Sequence, residues 1–343
     1  MNAHTPITGA PNARDWMPVL SRYRQPSEIR SLFEIAVSVG PFLLLWALGW
    51  WALSAVGPWL ALPIALVNGA FLVRIFCVQH DLGHSTLFAD KRRGDWIGRA
   101  LGVLTVTPYD VWRRIHAMHH GASGNLTRRP PGEVYTMTAA EFRAQSRWGR
   151  LRYRLYRHPL TLFGFAPAWC FLIENRLPLG LMRAGASYWI SAMGTNLAVL
   201  AVLGTIWALG GVQPILWLFL PTTLCAATIG VWLFYVQHQF EESHFAREPH
   251  WDLHEAALHG SSHYDLPRWA HWLTANIGLH HIHHLNSRIP FYRLPDVLAE
   301  NPGLEVANRL TLRESFACVK LKLWCERQRR LVTFREALAP AAA

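Results

Sequence analysis

Two long stretches of this chain contain no Asp, Glu, Lys or Arg: Ile35 to Val73, which is 39 residues, and Ala184 to Phe240, which is 57. One helical crossing of a bilayer needs about 20 apolar residues, so each stretch has room for two. The return falls at Gly57-Pro58 in the first stretch and at Gly210-Gly211-Val212-Gln213-Pro214 in the second. Composition agrees: 51% of the residues are hydrophobic, 16% are charged and 17 are tryptophan, which suits a chain partly solvated by hydrocarbon. The sequence predicts an all-α integral membrane protein with four transmembrane helices in two hairpins. The apolar stretch Leu160 to Ile173 is shorter and carries Pro167, so it is expected to lie in the interface or to re-enter, with a full crossing as the alternative.

All 33 Lys and Arg lie outside the two stretches, and neither return carries one. Positive residues collect on the cytoplasmic side, which places the N-terminus, the central Arg-rich segment and the C-terminal third there, in the inner membrane for a bacterial chain. Arg74 is expected to snorkel toward the same side. This asymmetry explains the net charge of +11 and leaves little reason to expect a nucleic-acid partner. The first 30 residues lack an apolar core, and Pro6, Pro11, Pro18 and Pro26 discourage a helix, so no cleaved signal is expected.

The chain divides into a polar arm (1–30), a membrane domain (31–303) and a basic C-terminal segment (304–343). In the last, Leu312, Phe316, Val319 and Leu323 recur at helical spacing among Arg313, Lys320, Lys322 and Arg327. An amphipathic helix resting on the membrane or on the catalytic body, followed by a short tail, is expected. The five cysteines form no C-x-x-C pair and read as packing residues.

Chemistry enters with histidine. His80 and His84 stand one turn apart where the second apolar helix ends; His116, His119 and His120 follow, and then His280, His283 and His284. Spacings of three and four turn imidazoles toward one side of a helix. Eight rings exceed what one ion takes, so two metals are implied. His238, at the end of the fourth apolar helix, mirrors His80; its position suits either a ligand or an interfacial anchor. Imidazole alone leaves zinc, copper, iron and nickel open, but a ligand set this large, with open positions left over, leans to iron. Asp81 beside His80, and Asn276 one turn before His280, are candidates to fix a ring tautomer or hold a water. His244, His263 and His281 are left as non-ligands.

These clusters resemble the histidine boxes of the membrane-bound fatty acid desaturases, in their bacterial acyl-lipid branch. Val78-Gln79-His80-Asp81-Leu82-Gly83-His84, Ala122-Ser123-Gly124-Asn125-Leu126, Val236-Gln237-His238-Gln239-Phe240-Glu241 and Gly260-Ser261-Ser262-His263-Tyr264 carry the likeness, as does Asn276 through Leu285. It covers about residues 35 to 300. The resemblance implies a four-helix membrane body, interfacial helices, a cytosolic helical cap holding a di-iron centre, and a substrate tunnel between body and cap. It makes His238 a ligand. It also implies an O2-dependent reaction that removes two hydrogens from adjacent methylenes of an acyl-lipid or acyl-thioester substrate. The two electrons would come from a separate ferredoxin, or a cytochrome with its reductase, since no His-Pro-Gly-Gly motif of a fused haem domain is present. Trp46, Trp50, Trp51 and Phe71 are expected mainly at lipid, with the tunnel wall as their other possible place. Hydroxylation or ketolation of a lipid or carotenoid is the alternative on the same scaffold. A metal transporter fits less well, because its polar groups belong near the membrane midplane, where these spans have no charge.

Overall fold

The computed structural model describes residues 12–305 and 308–339 and is mainly helical. Residues 1–11 of the polar arm and the last four of the tail lie outside the described residues. In chain order come α1 (Trp16–Leu20), α2 (Glu28–Ala55), α3 (Pro58–Gly83), α4 (Lys91–Leu104), α5 (Tyr109–His120), α6 (Ala139–Ala144) and α7 (Arg147–Tyr156). A π-helical stretch, Leu160–Phe165, leads into α8 (Ala166–Leu172), followed by α9 (Ala186–Gly210), a second π-helical stretch at Ile215–Phe219, and α10 (Leu220–His238). Short elements complete the chain: α11 (Leu253–His259), β1 (His263–Asp265), α12 (Arg268–Leu273), α13 (His280–Leu285), α14 (Leu294–Glu300), β2 (Arg309–Thr311), α15 (Leu312–Cys318), β3 (Leu323–Cys325), β4 (Arg330–Val332) and α16 (Phe334–Leu338). β1 pairs parallel with β2, and β3 antiparallel with β4.

Among the described residues, four helices are long and apolar enough to cross a membrane: α2, α3, α9 and Ile215–His238. α2 starts at Ser27, whose hydroxyl accepts from the amide of Arg30. It ends at Ala55; the chain turns at Gly57, whose φ of +124° suits glycine alone, and Pro58 then opens α3 at the position where its missing N–H costs nothing.

α3 is the axis of the body, with α2 on one side and α10 on another. Without a hydrophobic drive inside lipid, helices approach through small residues. Ala61, Ala65 and Gly69 are buried at intervals of four along α3. A Cβ at Gly69 would sit 2.8 Å from Cys225 Cβ, and the Thr222 hydroxyl donates to Ala65 O at 3.0 Å. α9 takes another path. It packs against α4 and α5 and meets the fourth span chiefly at its π-helical start, leaving room between α3, α5, α8 and α10.

Arg74 does not snorkel. Its side chain is 1% exposed and pairs with the equally enclosed Glu34 of α2. It also donates to Trp272 O and lies 4.1 Å from the Trp272 ring, so the end of α3 is enclosed by α12 rather than open to headgroups. The arm holds a helix despite its prolines, because Pro18 falls in the first turn of α1, where amide hydrogens lack helical partners anyway.

The C-terminal segment is not one helix. Thr311 with Glu314, and Thr333 with Glu336, form capping boxes that start two separate short helices. Between them the backbone folds into the β3–β4 hairpin, with Lys322 N donating to Val332 O, and Trp324 N donates to Met137 O of a distant segment. Tertiary strand pairing has overridden a helical hydrophobic period. Two elements of the basic segment, β3 and α16, pack on α6.

Candidate metal centre

All nine predicted ligands converge, from the ends of two spans and from two shorter helices. α3 delivers His80 and leads directly to His84. α5 delivers His116, His119 and His120, and its start is fixed by Arg99 of α4, which makes a bidentate pair with Asp110 at 2.9 and 3.0 Å. α10 ends on His238. α13 delivers His280, His283 and His284, entered through a tight turn in which Asn276 takes a φ of +54°.

The rings fall into two groups. His80, His84, His116, His120 and His283 form one, and His119, His238, His280 and His284 the other; in each, one ring nitrogen per residue lies within 4.8 Å of every other. In the first group His116 Nε2 is 2.9 Å from His80 Nε2 and 3.0 Å from His120 Nε2, with His283 Nε2 3.2 Å beyond His120. In the second, His238 Nε2 lies 3.2 Å from His119 Nε2 and 3.0 Å from His280 Nε2. The stacked rings of His120 and His284, 4.0 Å between centroids, join the groups.

These separations fit metal coordination. Ligand nitrogens about 2.1 Å from an ion are about 3 Å from each other along a polyhedron edge. The buried Nε2 atoms of His84 and His284 have no hydrogen-bond partner among the described residues, as expected of lone pairs reserved for an ion. Burial, reinforced by the neighbouring rings, pushes His84, His116, His120, His280, His283 and His284 well below the usual imidazole range. They are therefore neutral at pH 7, the form that ligates.

Outer contacts orient the rings. Asp81 Oδ1 meets His80 Nδ1 at 3.2 Å, while its other oxygen accepts from Phe291 N at 2.7 Å and from the Thr86 hydroxyl. Asn276 does not reach a ring. Its side-chain amide donates to Phe291 O at 3.2 Å, because its left-handed backbone turns it toward that loop. Two orienting groups escaped sequence reasoning: Glu133, whose Oε1 meets His119 Nδ1 at 3.0 Å, and the carbonyl of Gly260, 3.2 Å from His238 Nδ1. A backbone carbonyl leaves no trace in sequence. Glu133 left one, as the lone carboxylate between Asp110 and Glu141. His263 and His281 stand outside both groups, stacked on each other, with His281 Nε2 2.9 Å from Leu304 O.

A cavity of about 430 Å3 runs from the gap beside α3 and α10 to the rings. Its walls are mostly apolar, including Leu72, Phe76, Val111, Phe171, Ala227 and Leu233, and its inner end is His80, His116, His119 and His280. Trp46, Trp50, Trp51 and Phe71 are not among its lining residues; Trp51 is 57% exposed on the outer face of α2.

Comparison with known proteins agrees with this geometry. Residues 57–314 match the family described as fatty acid desaturase. A fatty acid desaturase of Bacillus subtilis is 37% identical over 316 residues, covering 92% of this chain and 89% of that protein. An sn-1 oleoyl-lipid 12-desaturase of Synechocystis is 29% identical, covering 69% of this chain and 67% of that protein. A chloroplastic omega-6 fatty acid desaturase of Arabidopsis thaliana is 25% identical, covering 78% and 58% respectively.

Proposed function

The chain belongs to the fatty acid desaturase family, and from that premise we propose that it introduces a C=C bond into a lipid-linked acyl chain with a di-iron centre held by the nine histidines. The observation that carries this reading is the apolar cavity ending on rings of both groups. Iron held there supplies activation of O2 and the oxidising power to remove hydrogen from unactivated methylenes, drawing two electrons from outside the chain. His80, His84, His116, His120 and His283 would hold one ion, and His119, His238, His280 and His284 the other.

The remaining work belongs to the protein. The cavity walls take an acyl chain out of lipid and exclude water, and a buried tunnel fixes which carbon pair stops beside the rings. Asp81, Glu133 and the Gly260 carbonyl hold His80, His119 and His238 at their Nδ1 atoms, so that each Nε2 faces the site. Phe234, whose ring lies 5.2 Å from that of His119 and 5.1 Å from that of His238, shields the inner end of the cavity.

The two pairs of spans each cross and return, placing both termini, the cap and the histidines on the cytoplasmic side; the distribution of Lys and Arg supports this orientation. Residues 31–303 form the catalytic membrane domain. The electrons come from a separate ferredoxin, or a cytochrome with its reductase. Lipid-linked rather than thioester-linked chains are favoured by the oleoyl-lipid relatives.

Expression in a host of simple, defined membrane lipids, followed by mass spectrometry of intact lipids, tests this function. Lipids lighter by two hydrogens are expected, and lipids heavier by one oxygen would point to hydroxylation instead. Supplying the purified enzyme with acyl thioester and with phospholipid separates the two substrate forms.

A further inference from the structure

α7 presents an outward face that no described part of the chain covers. Its inner side is fixed firmly. The Tyr153 hydroxyl donates to Lys322 O at 2.7 Å and accepts from Met137 N at 3.0 Å, the Tyr156 hydroxyl accepts from Tyr135 N, and the fully buried Arg157 donates to Gln239 Oε1 at 2.7 Å. With that side inward, helical spacing turns Trp148, Leu151 and Leu155 outward, where they are 80%, 43% and 59% exposed. An exposed apolar stripe of this kind marks a surface built for something other than water. Arg147 and Arg152 flank it, and Arg150 lies one turn beyond Arg147; none of the three guanidinium groups has an ion pair or hydrogen bond among the described residues. The stripe continues through Leu160 and Phe165 to Trp169 of α8, which packs against the fourth span.

We propose that α7 lies in the membrane surface as a binding site for acidic phospholipid. Trp148, Leu151 and Leu155 enter the boundary between headgroups and acyl chains, and Arg147, Arg150 and Arg152 bind headgroup phosphates. The combination of an apolar stripe, flanking cations and continuity with membrane-spanning helices is what an in-plane helix on an anionic bilayer requires. A soluble partner would leave that continuity without a role. The proposal rests on the membrane placement given above and not on the reaction. Because Arg157 ties α7 to Gln239, the residue after His238, the lipid contact is built directly onto the candidate metal site.

The test uses the full chain in nanodiscs of equal phosphatidylcholine and phosphatidylglycerol, with the photo-crosslinker benzoylphenylalanine at position 148, or at position 200 on the exposed side of α9 as a control. Adducts are identified by mass spectrometry. Phospholipid adducts are expected at both positions. In R147Q/R150Q/R152Q the ratio of phosphatidylglycerol to phosphatidylcholine adducts at 148 should fall by roughly fivefold or more, since one arginine near an anionic surface is worth about 1 kcal/mol, while the ratio at 200 stays unchanged. Lipid adducts at 200 but none at 148, or a ratio at 148 indifferent to the three substitutions, overturns the proposal. Absence of lipid adducts at both positions overturns the membrane placement itself.

Discussion

The enclosed pair Glu34–Arg74 offers a test in which the size of the effect follows from geometry. Their side chains are 3% and 1% exposed, so neither charge is hydrated. Glu34 also accepts from Arg30 Nε at 2.8 Å, but among the described residues Arg74 has no other carboxylate and keeps only the Trp272 carbonyl and the rings of Trp272 and Phe291. Glu34→Leu therefore strands a buried guanidinium, a loss of about 3–5 kcal/mol. At about 2 °C per kcal/mol for a large chain, the melting temperature in detergent should fall by about 6–10 °C. Replacing both partners, Glu34→Leu with Arg74→Met, removes the stranded charge and should restore most of the loss. Intrinsic tryptophan fluorescence during heating reads the wild type, Glu34→Leu, Arg74→Met and the double variant, and metal content reads the site, since Phe291 lies between Arg74 and Asp81. If the double variant melts where the sum of the single effects places it, the two residues are not coupled and this account of the α2–α3 junction is wrong.

Glu133→Gln keeps a hydrogen bond to His119 but removes the charge; it should retain the fold and lower metal occupancy by about tenfold in competition with a chelator, with Glu133→Ala lower still. Gly230 borders the cavity, and a Cβ there would meet nothing within 4 Å, so Gly230→Leu fills the tunnel without disturbing the backbone. Lipid profiling should then show shorter acyl chains among the products at unchanged metal content. Gly69→Val presses on Cys225 and should cost about 1–3 kcal/mol, read as a lower melting temperature. Burial, with Arg157 close by, pushes the Lys322 ammonium down to about 8 from an ordinary 10.5. Between those values the unfolded chain binds more protons than the folded one, so wild-type stability rises with pH across that window. Lys322→Met should flatten the rise, and equal slopes in the two proteins would refute it.

The membrane body was readable because its determinants are local. Uncharged runs and a Gly-Pro return are properties of neighbouring residues and need no distant partner. The convergence of the histidines was readable for the same reason, since three-and-four spacing on a short helix already aims two rings together. What orients those rings was hidden, because Glu133 and the Gly260 carbonyl reach His119 and His238 only after distant segments close. The enclosure of Arg74 likewise depends on α12, some 200 residues away in sequence. In the C-terminal segment the helical period misled, because a hydrophobic period records only which side is covered, while the structure starts two separate short helices at Thr311 and Thr333.

The central claim is that nine imidazoles hold two ions. Metal analysis of the purified full-length protein, alongside His116→Ala from one group and His280→Ala from the other, tests it most directly. Two irons per chain are expected in the wild type, with occupancy and desaturation lost in both variants while the protein still enters the membrane. An iron-free preparation that still desaturates lipid, or two irons retained in both variants, would contradict it.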